Sequence, residues 1–159
     1  MQNKELVYKE EDGSLVVIIP DVIKVFMSYR QLNVTSPESA GVLIGERRGS
    51  HIVIKTVSEP NNNDIRSRFT VNRIGTHHQQ KVDQAFIDSK GTSQYVGEWH
   101  THPQKIANPS LTDYMGWIQT CNFFTNTVLV FYIVGNEQDW IGIQINERIF
   151  EPIEYKLEY

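Results

Sequence analysis

Apolar and polar residues along this chain switch between the period of a strand and the period of a helix, and the switches predict the order of its elements. The run over 14–20 predicts a short strand, and helical spacing over 21–33 predicts a helix. The buried stripe of that helix is expected to contain Val22, Val25, Phe26 and Tyr29. The next two runs, AGVLIGERR and HIVIKTVSE, are separated by a Gly-Ser pair and predict a hairpin.

The second half of the chain predicts two further helices and several strands. NNNDIRS has the composition of a loop, RFTV predicts a brief strand, and the run over 75–90 predicts a helix ending near Gly91. A strand over 93–102 then meets Pro103, which has no N–H for a strand ladder. A helix over 111–123 comes next, and three final strands are predicted in TVLVFYIVG, WIGIQIN and RIFEPIEY.

These elements predict an α/β fold of the α+β type, with a mostly antiparallel sheet and three helices. The chain has 159 residues and contains no internal repeat, linker or low-complexity tract. At this length about two thirds of the unfolded surface can be buried. We therefore expect a single domain over residues 1–159.

Composition and charge narrow the functional classes. Asp and Glu number 19 against 15 Lys and Arg, for a net charge of −4, so the chain lacks the basic field of most nucleic-acid binders. The lone Cys121 cannot form an internal disulfide, and no stretch approaches the ~20 apolar residues of a membrane span. These observations predict a cytoplasmic protein that binds neither nucleic acid nor a membrane.

The candidate chemistry lies in the segment VGEWHTHPQKIANPSLTDYMGW. Residues two apart on a strand face the same side, so His100 and His102 can direct both imidazoles at one point. Asp113, in the first turn of the next helix, can turn a carboxylate back toward that point. Two nitrogens and one oxygen leave a fourth tetrahedral position for water, which is typical of a catalytic zinc site.

Each of these residues also has a simpler interpretation. Asp113 alone is explained by its interaction with the helix dipole, and Ser110 alone by the N-cap position. The conjunction of both with a histidine pair favours a metal site. His77 and His78 are adjacent on a predicted helix and face different directions, so we expect them to lie on a solvated surface.

A metal site of this kind also needs a general base. The candidates are Glu38, Glu46 and Glu98. Glu98 shares strand parity with the two histidines and is equally a candidate ligand, and local physical chemistry does not choose among the three.

At this point the motifs resemble a known family. HTHPQKIANPSLTD resembles the JAMM motif of the MPN/JAB metalloproteases, His-x-His-Pro followed by Ser-x-x-Asp, and its spacing matches without a gap. PESAGVLIGE resembles the family's first block, in which a glutamate precedes a glycine by seven residues, as Glu38 precedes Gly45. The resemblance therefore selects Glu38 as the acid/base.

The resemblance implies a cytidine-deaminase-like MPN/JAB fold with a curved sheet flanked by helices. It also implies one catalytic Zn²⁺ held by His100, His102 and Asp113, with Ser110 hydrogen-bonding the developing oxyanion or orienting the bound water. Every motif position is present, which argues against the non-catalytic interaction modules of the family.

The substrate class is implied by the same resemblance. Members cleave isopeptide or peptide bonds after the C-terminal tail of ubiquitin-like proteins, and some bacterial relatives process sulfur-carrier proteins. This short form resembles bacterial JAB proteins encoded beside ubiquitin-activating-like (E1/E2-like) conjugating enzymes in antiphage operons. There the enzyme would release, or trim before conjugation, a signalling nucleotidyltransferase joined through its C-terminus. An extended tail can add as a strand at a sheet edge, with small residues preferred at its end.

Four other interpretations are weaker. A non-catalytic module conflicts with the intact ligand set, and a RadC-type relative would have asparagine at Thr101. A zinc nucleobase deaminase requires a Pro-Cys-x-x-Cys pair that one cysteine cannot supply. A thiol isopeptidase would use Cys121, which lies on an apolar helical stretch and is expected to be buried. Core packing is likewise expected for Trp99, Trp117 and Trp140.

Overall fold

One curled sheet of nine strands organises the computed structural model, which describes residues 4–156. The strand order across the sheet is β10-β9-β8-β7-β3-β4-β2-β1-β11, and β5 and β6 form a separate two-stranded sheet. The strands are β1 (Leu6–Lys9), β2 (Leu15–Ile18), β3 (Ala40–Arg48), β4 (His51–Val57), β5 (Ile65–Arg66), β6 (Val71–Asn72), β7 (Ser93–Thr101), β8 (Leu129–Val134), β9 (Trp140–Ile145), β10 (Arg148–Phe150) and β11 (Ile153–Glu154). The helices are α1 (Pro20–Ser28), α2 (His77–Asp88) and α3 (Leu111–Phe123).

The pairing within the large sheet is mostly antiparallel, which confirms the predicted fold class. The parallel pairs are β2 with β4 and β7 with β8. The second of these pairs is joined by a crossover through α3, because parallel strands need a long connection. In the part of the chain that the structure describes, no helix has the length and apolar character needed to cross a bilayer.

The core has one layer on each side of the sheet. On one side, Phe26 of α1 stacks on Tyr132 at a centroid distance of 4.6 Å and contacts Trp99 at 5.3 Å. On the other side, Trp117 of α3 stacks between Phe131 and Trp140, at 4.8 and 5.3 Å. Phe131 and Tyr132 are successive residues of β8 and therefore face opposite sides.

The predicted burial of Cys121 and of the tryptophans is largely confirmed. Trp99 and Cys121 are fully buried and Trp117 nearly so, while Trp140 is half-buried against the second layer. Burial raises the pKa of the Cys121 thiol to about 11, so this sulfur is a poor thiolate nucleophile near neutral pH.

Two predicted boundaries in the first half were wrong. The strand predicted over 14–20 ends at Ile18, because Pro20 begins α1, and proline suits the first helical position. The helix predicted over 21–33 ends at Ser28. Beyond it, the buried Gln31 side chain donates to the backbone oxygens of Ser36 and Arg68, so this segment serves the loops around it.

Three short strands also differ from the predictions. Strand β1 was missed, and the strand predicted in RFTV is displaced to β6, which pairs with β5 inside the predicted loop. The run RIFEPIEY splits at Pro152 into β10 and β11, which pair at opposite edges of the sheet, with β9 and with β1. The hairpin β3–β4 and the two later helices lie where the sequence predicts them.

Candidate metal centre and its groove

The two histidines of the motif meet at the carboxyl end of β7. His100 lies on the strand and His102 directly follows it, so the alternation of side chains turns both imidazoles to one side. Their Nε2 atoms lie 2.9 Å apart, and their rings meet edge to face at a centroid distance of 4.7 Å.

The third member of the cluster comes from the first turn of α3. Asp113 Oδ1 lies 3.2 Å from His100 Nε2, and Asp113 Oδ2 lies 3.2 Å from His102 Nε2. The same carboxylate accepts from the Ser110 N–H at 2.9 Å, while Ser110 Oγ accepts from the Asp113 N–H at 3.1 Å. This capping box fixes the Asp113 side chain, so Asp113 caps the helix and contributes to the cluster at the same time.

The ligand atoms fit a small tetrahedral cation. Zinc binds nitrogen and oxygen at about 2.0–2.1 Å, so the edges of its tetrahedron measure about 3.3 Å. Here the two Nε2 atoms lie 2.9 Å apart, and each lies 3.2 Å from a different oxygen of the Asp113 carboxylate, so the spacings are close to that edge length. The donor set of two imidazoles and one carboxylate also suits zinc, and three protein ligands leave one position open.

Gln104 fixes the orientation of the His102 ring. The His102 Nδ1–H donates to Gln104 Oε1 at 3.1 Å, which turns Nε2 toward the cluster. Burial lowers the pKa of His102, but its bonds to Asp113 and Gln104 outweigh this and raise it. This role of Gln104 was not predicted from the sequence, although Gln104 lies two residues after a motif histidine.

Asp113 is held as a carboxylate. Burial raises its pKa, but hydrogen bonds from His100 and His102 together with the Ser110 N–H outweigh burial, and the pKa lies well below its ordinary value. An ionised carboxylate between two imidazoles is the charge state required of a metal ligand.

A groove runs past the cluster and separates the three candidate glutamates. Glu38 and Glu98 both line it, whereas Glu46 lies toward the far end of β3, bonded to Arg48 and Lys55. The Glu98 carboxylate forms a salt bridge with Arg73 on the wall of the groove. Glu38 is therefore the candidate that faces the groove without a salt bridge among the described residues.

Glu38 lies in a buried position two residues before β3. It is 6% exposed, and burial raises the pKa of its carboxyl to about 7, with a lowering effect of His102 and a raising effect of Asp113. A carboxyl that titrates near neutral pH can both accept and return a proton there.

The expected solvated surface was wrong for His78, which is buried, whereas His77 is half-buried. His78 is 4% exposed, and its Nε2 lies 2.9 Å from Oδ2 of Asp64, whose side chain is fully buried. On the opposite side, His78 Nδ1 lies 2.6 Å from Ser58 Oγ. Ser58 Oγ already accepts from the Val42 N–H, so its own hydrogen is free to donate to Nδ1.

These bonds use both imidazole nitrogens of His78 and dock the first turn of α2 onto β3 and β4. Asp64 and the His77–His78 pair also lie close enough together to hold a cation, but the hydrogen bonds account for both nitrogens of His78 without one. For Asp64, burial raises the pKa, but hydrogen bonds from Gly75 and His78 outweigh this and lower it. The cluster is therefore a buried hydrogen-bond network.

Comparisons with known proteins agree with this geometry. A model of the family described as prokaryotic homologs of the JAB domain matches residues 22–146. A "CD-NTase/cGAS isopeptidase" of Vibrio cholerae is 47% identical over 156 residues, covering 97% of this chain and 99% of the relative. Another protein of that name, from Escherichia coli, is 43% identical over 149 residues, covering 94% of each chain.

A solved structure is similar in fold. The solution structure of a protein from Desulfitobacterium hafniense matches with a TM-score of 0.59 at 18% identity, covering 86% of this chain and 88% of that one. At this identity the likeness concerns the fold alone.

Proposed function

This chain belongs to the family of prokaryotic homologs of the JAB domain, and we propose that it is a zinc-dependent isopeptidase. The observation that carries the proposal is the convergence of His100, His102 and Asp113 in a groove that Glu38 also lines. These three side chains would hold the metal. When bound there, zinc supplies Lewis-acid chemistry that polarises a peptide carbonyl and makes water more acidic.

Glu38 would move the proton. In its ionised form the carboxylate would accept a proton from the water that attacks the carbonyl carbon and return it to the amide nitrogen as the C–N bond breaks, so that the amine leaves as a neutral group. A pKa of about 7, raised by burial, suits both halves of this transfer at neutral pH.

Ser110 would stabilise the negative charge that develops on the carbonyl oxygen. Its Oγ accepts from the Asp113 N–H, and the hydroxyl keeps its own hydrogen to donate toward the groove that it lines. A fixed donor directed at a developing oxyanion is a large contribution in acyl transfer.

The substrate would enter as an extended C-terminal tail. The outer edges of the large sheet, β10 and β11, are three and five strands from β7, so the predicted tail strand cannot reach the site from them. Strand β6 is closer, because Val71 and Asn72 line the groove and β6 pairs on one side with β5. We infer that the tail adds along β6, and we expect small residues beside the cleaved bond.

The names of the relatives suggest the conjugate. We propose that the released group is a signalling nucleotidyltransferase joined through its C-terminus to a lysine amine, in bacterial antiphage defence. An E1/E2-like conjugating enzyme would form the bond that this chain breaks.

Cleavage of such a conjugate tests the proposal. A nucleotidyltransferase joined to a lysine amine is incubated with wild type, Glu38→Gln and chelator-treated wild type, and zinc content is measured for each. We expect cleavage by wild type alone, with about one zinc per chain retained in Glu38→Gln. Glu46→Gln is the matched control, because Glu46 lies outside the groove and should cut like wild type.

Three outcomes would contradict the proposal in different ways. Full activity in Glu38→Gln would show that Glu38 is not the acid/base, and Glu98 would be tested next. Full activity after complete removal of zinc would exclude the metal mechanism. Bound zinc without cleavage of any tail would favour a binding module.

A further inference from the structure

We propose that Arg66 is a positioning residue that fixes Glu38 and connects it to the wall of the groove. This inference rests on the proposed role of Glu38 as the acid/base. The segment concerned is the groove hairpin, residues 65–72, which comprises β5, β6 and the turn between them.

The Arg66 side chain binds the Glu38 backbone carbonyl and the Ser39 hydroxyl. Its Nε–H donates to Glu38 O at 2.8 Å, and its Nη2–H donates to Ser39 Oγ at 2.6 Å. The next residue of the hairpin completes the contact, because Ser67 O accepts from the Glu38 N–H at 2.7 Å. Both backbone polar groups of Glu38 are thus bonded to two consecutive residues of the groove hairpin.

These bonds matter because Glu38 belongs to no regular element. It precedes β3, which begins at Ala40, so no strand ladder fixes its backbone. Arg66 donates to two neutral oxygens, and its planar fork sets the direction of both bonds at once. A lysine ammonium is a single point donor and reproduces one of them at best.

The same hairpin provides the surface on which a tail would lie. Its turn is closed by the Thr70 side chain, whose Oγ1 lies 2.6 Å from Ser67 Oγ, and the Ser67 N–H donates to Thr70 O at 2.8 Å. Phe69, which is 71% exposed, and Thr70 both line the groove. A tail along β6 would therefore lie on the same hairpin whose Ser67 and Arg66 hold Glu38.

The test compares Arg66→Gln and Arg66→Lys with the control Arg48→Gln. Arg48 lies at the end of β3 and pairs with Glu46, and neither residue lines the groove. Steady-state cleavage of the lysine-linked conjugate gives kcat and KM, and amide hydrogen exchange gives the protection of the Glu38 N–H.

We expect kcat of Arg66→Gln to fall about 100-fold, the cost of displacing a catalytic group by about 1 Å. KM should stay within about twofold, because the groove lining is unchanged, and zinc content should equal that of wild type. Arg66→Lys should recover part of kcat by restoring one bond. The Glu38 amide should exchange faster in Arg66→Gln, whereas Arg48→Gln should match wild type in every measurement.

Unchanged kcat in Arg66→Gln would overturn the inference, and so would a raised KM at constant kcat, which would place Arg66 in contact with the tail. If wild type cleaves no conjugate, the proposed function fails. The exchange measurement still tests the inference, because the Glu38 N–H donates to Ser67 O, and unchanged protection in Arg66→Gln would show that Arg66 does not hold the hairpin against Glu38. If Arg66→Gln fails to fold, Arg66→Lys undergoes the same comparison.

Discussion

Replacing Thr101 with valine removes a buried hydroxyl from the residue between the two motif histidines and keeps its shape. Thr101 is fully buried on the face of β7 opposite to the histidine side chains. Its Oγ1 accepts from the Ser39 N–H at 3.0 Å and donates to Gln31 Oε1 at 2.8 Å. Ser39 follows the proposed acid/base, so this hydroxyl connects β7 to the backbone that carries Glu38.

The expected cost comes from the two partners that lose their bond. A buried donor or acceptor left unsatisfied costs about 1–3 kcal/mol. Ser39 and Gln31 are both 1% exposed, so water does not replace the bonds, and we expect a loss of about 2–5 kcal/mol. This loss is a large share of the free energy of unfolding, which is about 5–15 kcal/mol for a typical protein domain.

Urea unfolding followed by circular dichroism gives this free energy, with Thr101→Ser and Thr92→Val as companions. Thr101→Ser keeps the hydroxyl and should lose about 1 kcal/mol, for one buried methyl group. Thr92 is exposed, so Thr92→Val should stay within about 0.5 kcal/mol of wild type. All proteins are compared after removal of metal, because a ligand that binds the folded state would mask part of the loss.

A loss below about 0.5 kcal/mol in Thr101→Val would refute the assignment of a satisfied buried network at this position. If Thr101→Ser lost as much stability as Thr101→Val, the assignment would also be refuted, because the loss would then come from the packing of the methyl group and not from the hydrogen bonds.

Three further predictions concern other parts of the fold. The pKa of Asp64 is lowered because its hydrogen bonds outweigh burial. Its contribution to stability is therefore present above its unfolded pKa of 3.8 and is lost as pH falls through the folded pKa. We expect Asp64→Asn to weaken this loss of stability at acid pH, as measured by urea unfolding midpoints from pH 5 downward. Gly97→Ala should prevent folding or reduce soluble yield sharply, because the new Cβ would lie 1.7 Å from Val130 O and φ is +151°. Glu98→Gln should raise KM about fivefold at constant kcat, because a tail must then desolvate an unpaired Arg73 on the groove wall, and an unchanged KM would contradict this.

The elements that the sequence predicts correctly are those with strong local periodicity. The hairpin β3–β4 has long β-branched runs around Gly49, whose φ of +61° suits glycine, and α2 ends before the left-handed Lys90 and Gly91. Strands β1, β5 and β11 have two to four residues each and exist through pairing with distant partners. No local pattern of that length distinguishes a strand from a loop.

The candidate site divides in the same way. His100, His102 and Asp113 lie within 14 residues on a strand end and a helix start, so their spacing alone predicts that they converge. Arg66 contacts Glu38 across 28 positions and Thr101 contacts Gln31 across 70, which no spacing argument can reach. The error at His78 has the same origin, since helical adjacency predicts exposure, whereas the segment from Ser58 to Asp64 covers that face.

This division has a consequence for the proposed chemistry. The proposed metal ligands are held by β7 and by the capping box of α3, whereas the backbone of Glu38 is held by the groove hairpin and by Thr101 through Ser39. The two sets of supports meet at Thr101, but no hydrogen bond among the described residues joins the groove hairpin to the capping box, so changes in one of these two should leave the other nearly intact. Variants of the groove hairpin should therefore keep zinc and lose turnover, while variants of the capping box should lose zinc first. A relative with all three ligands but a different hairpin can thus bind metal without cleaving, and the supports of Glu38 become the feature to compare when such a relative is inactive.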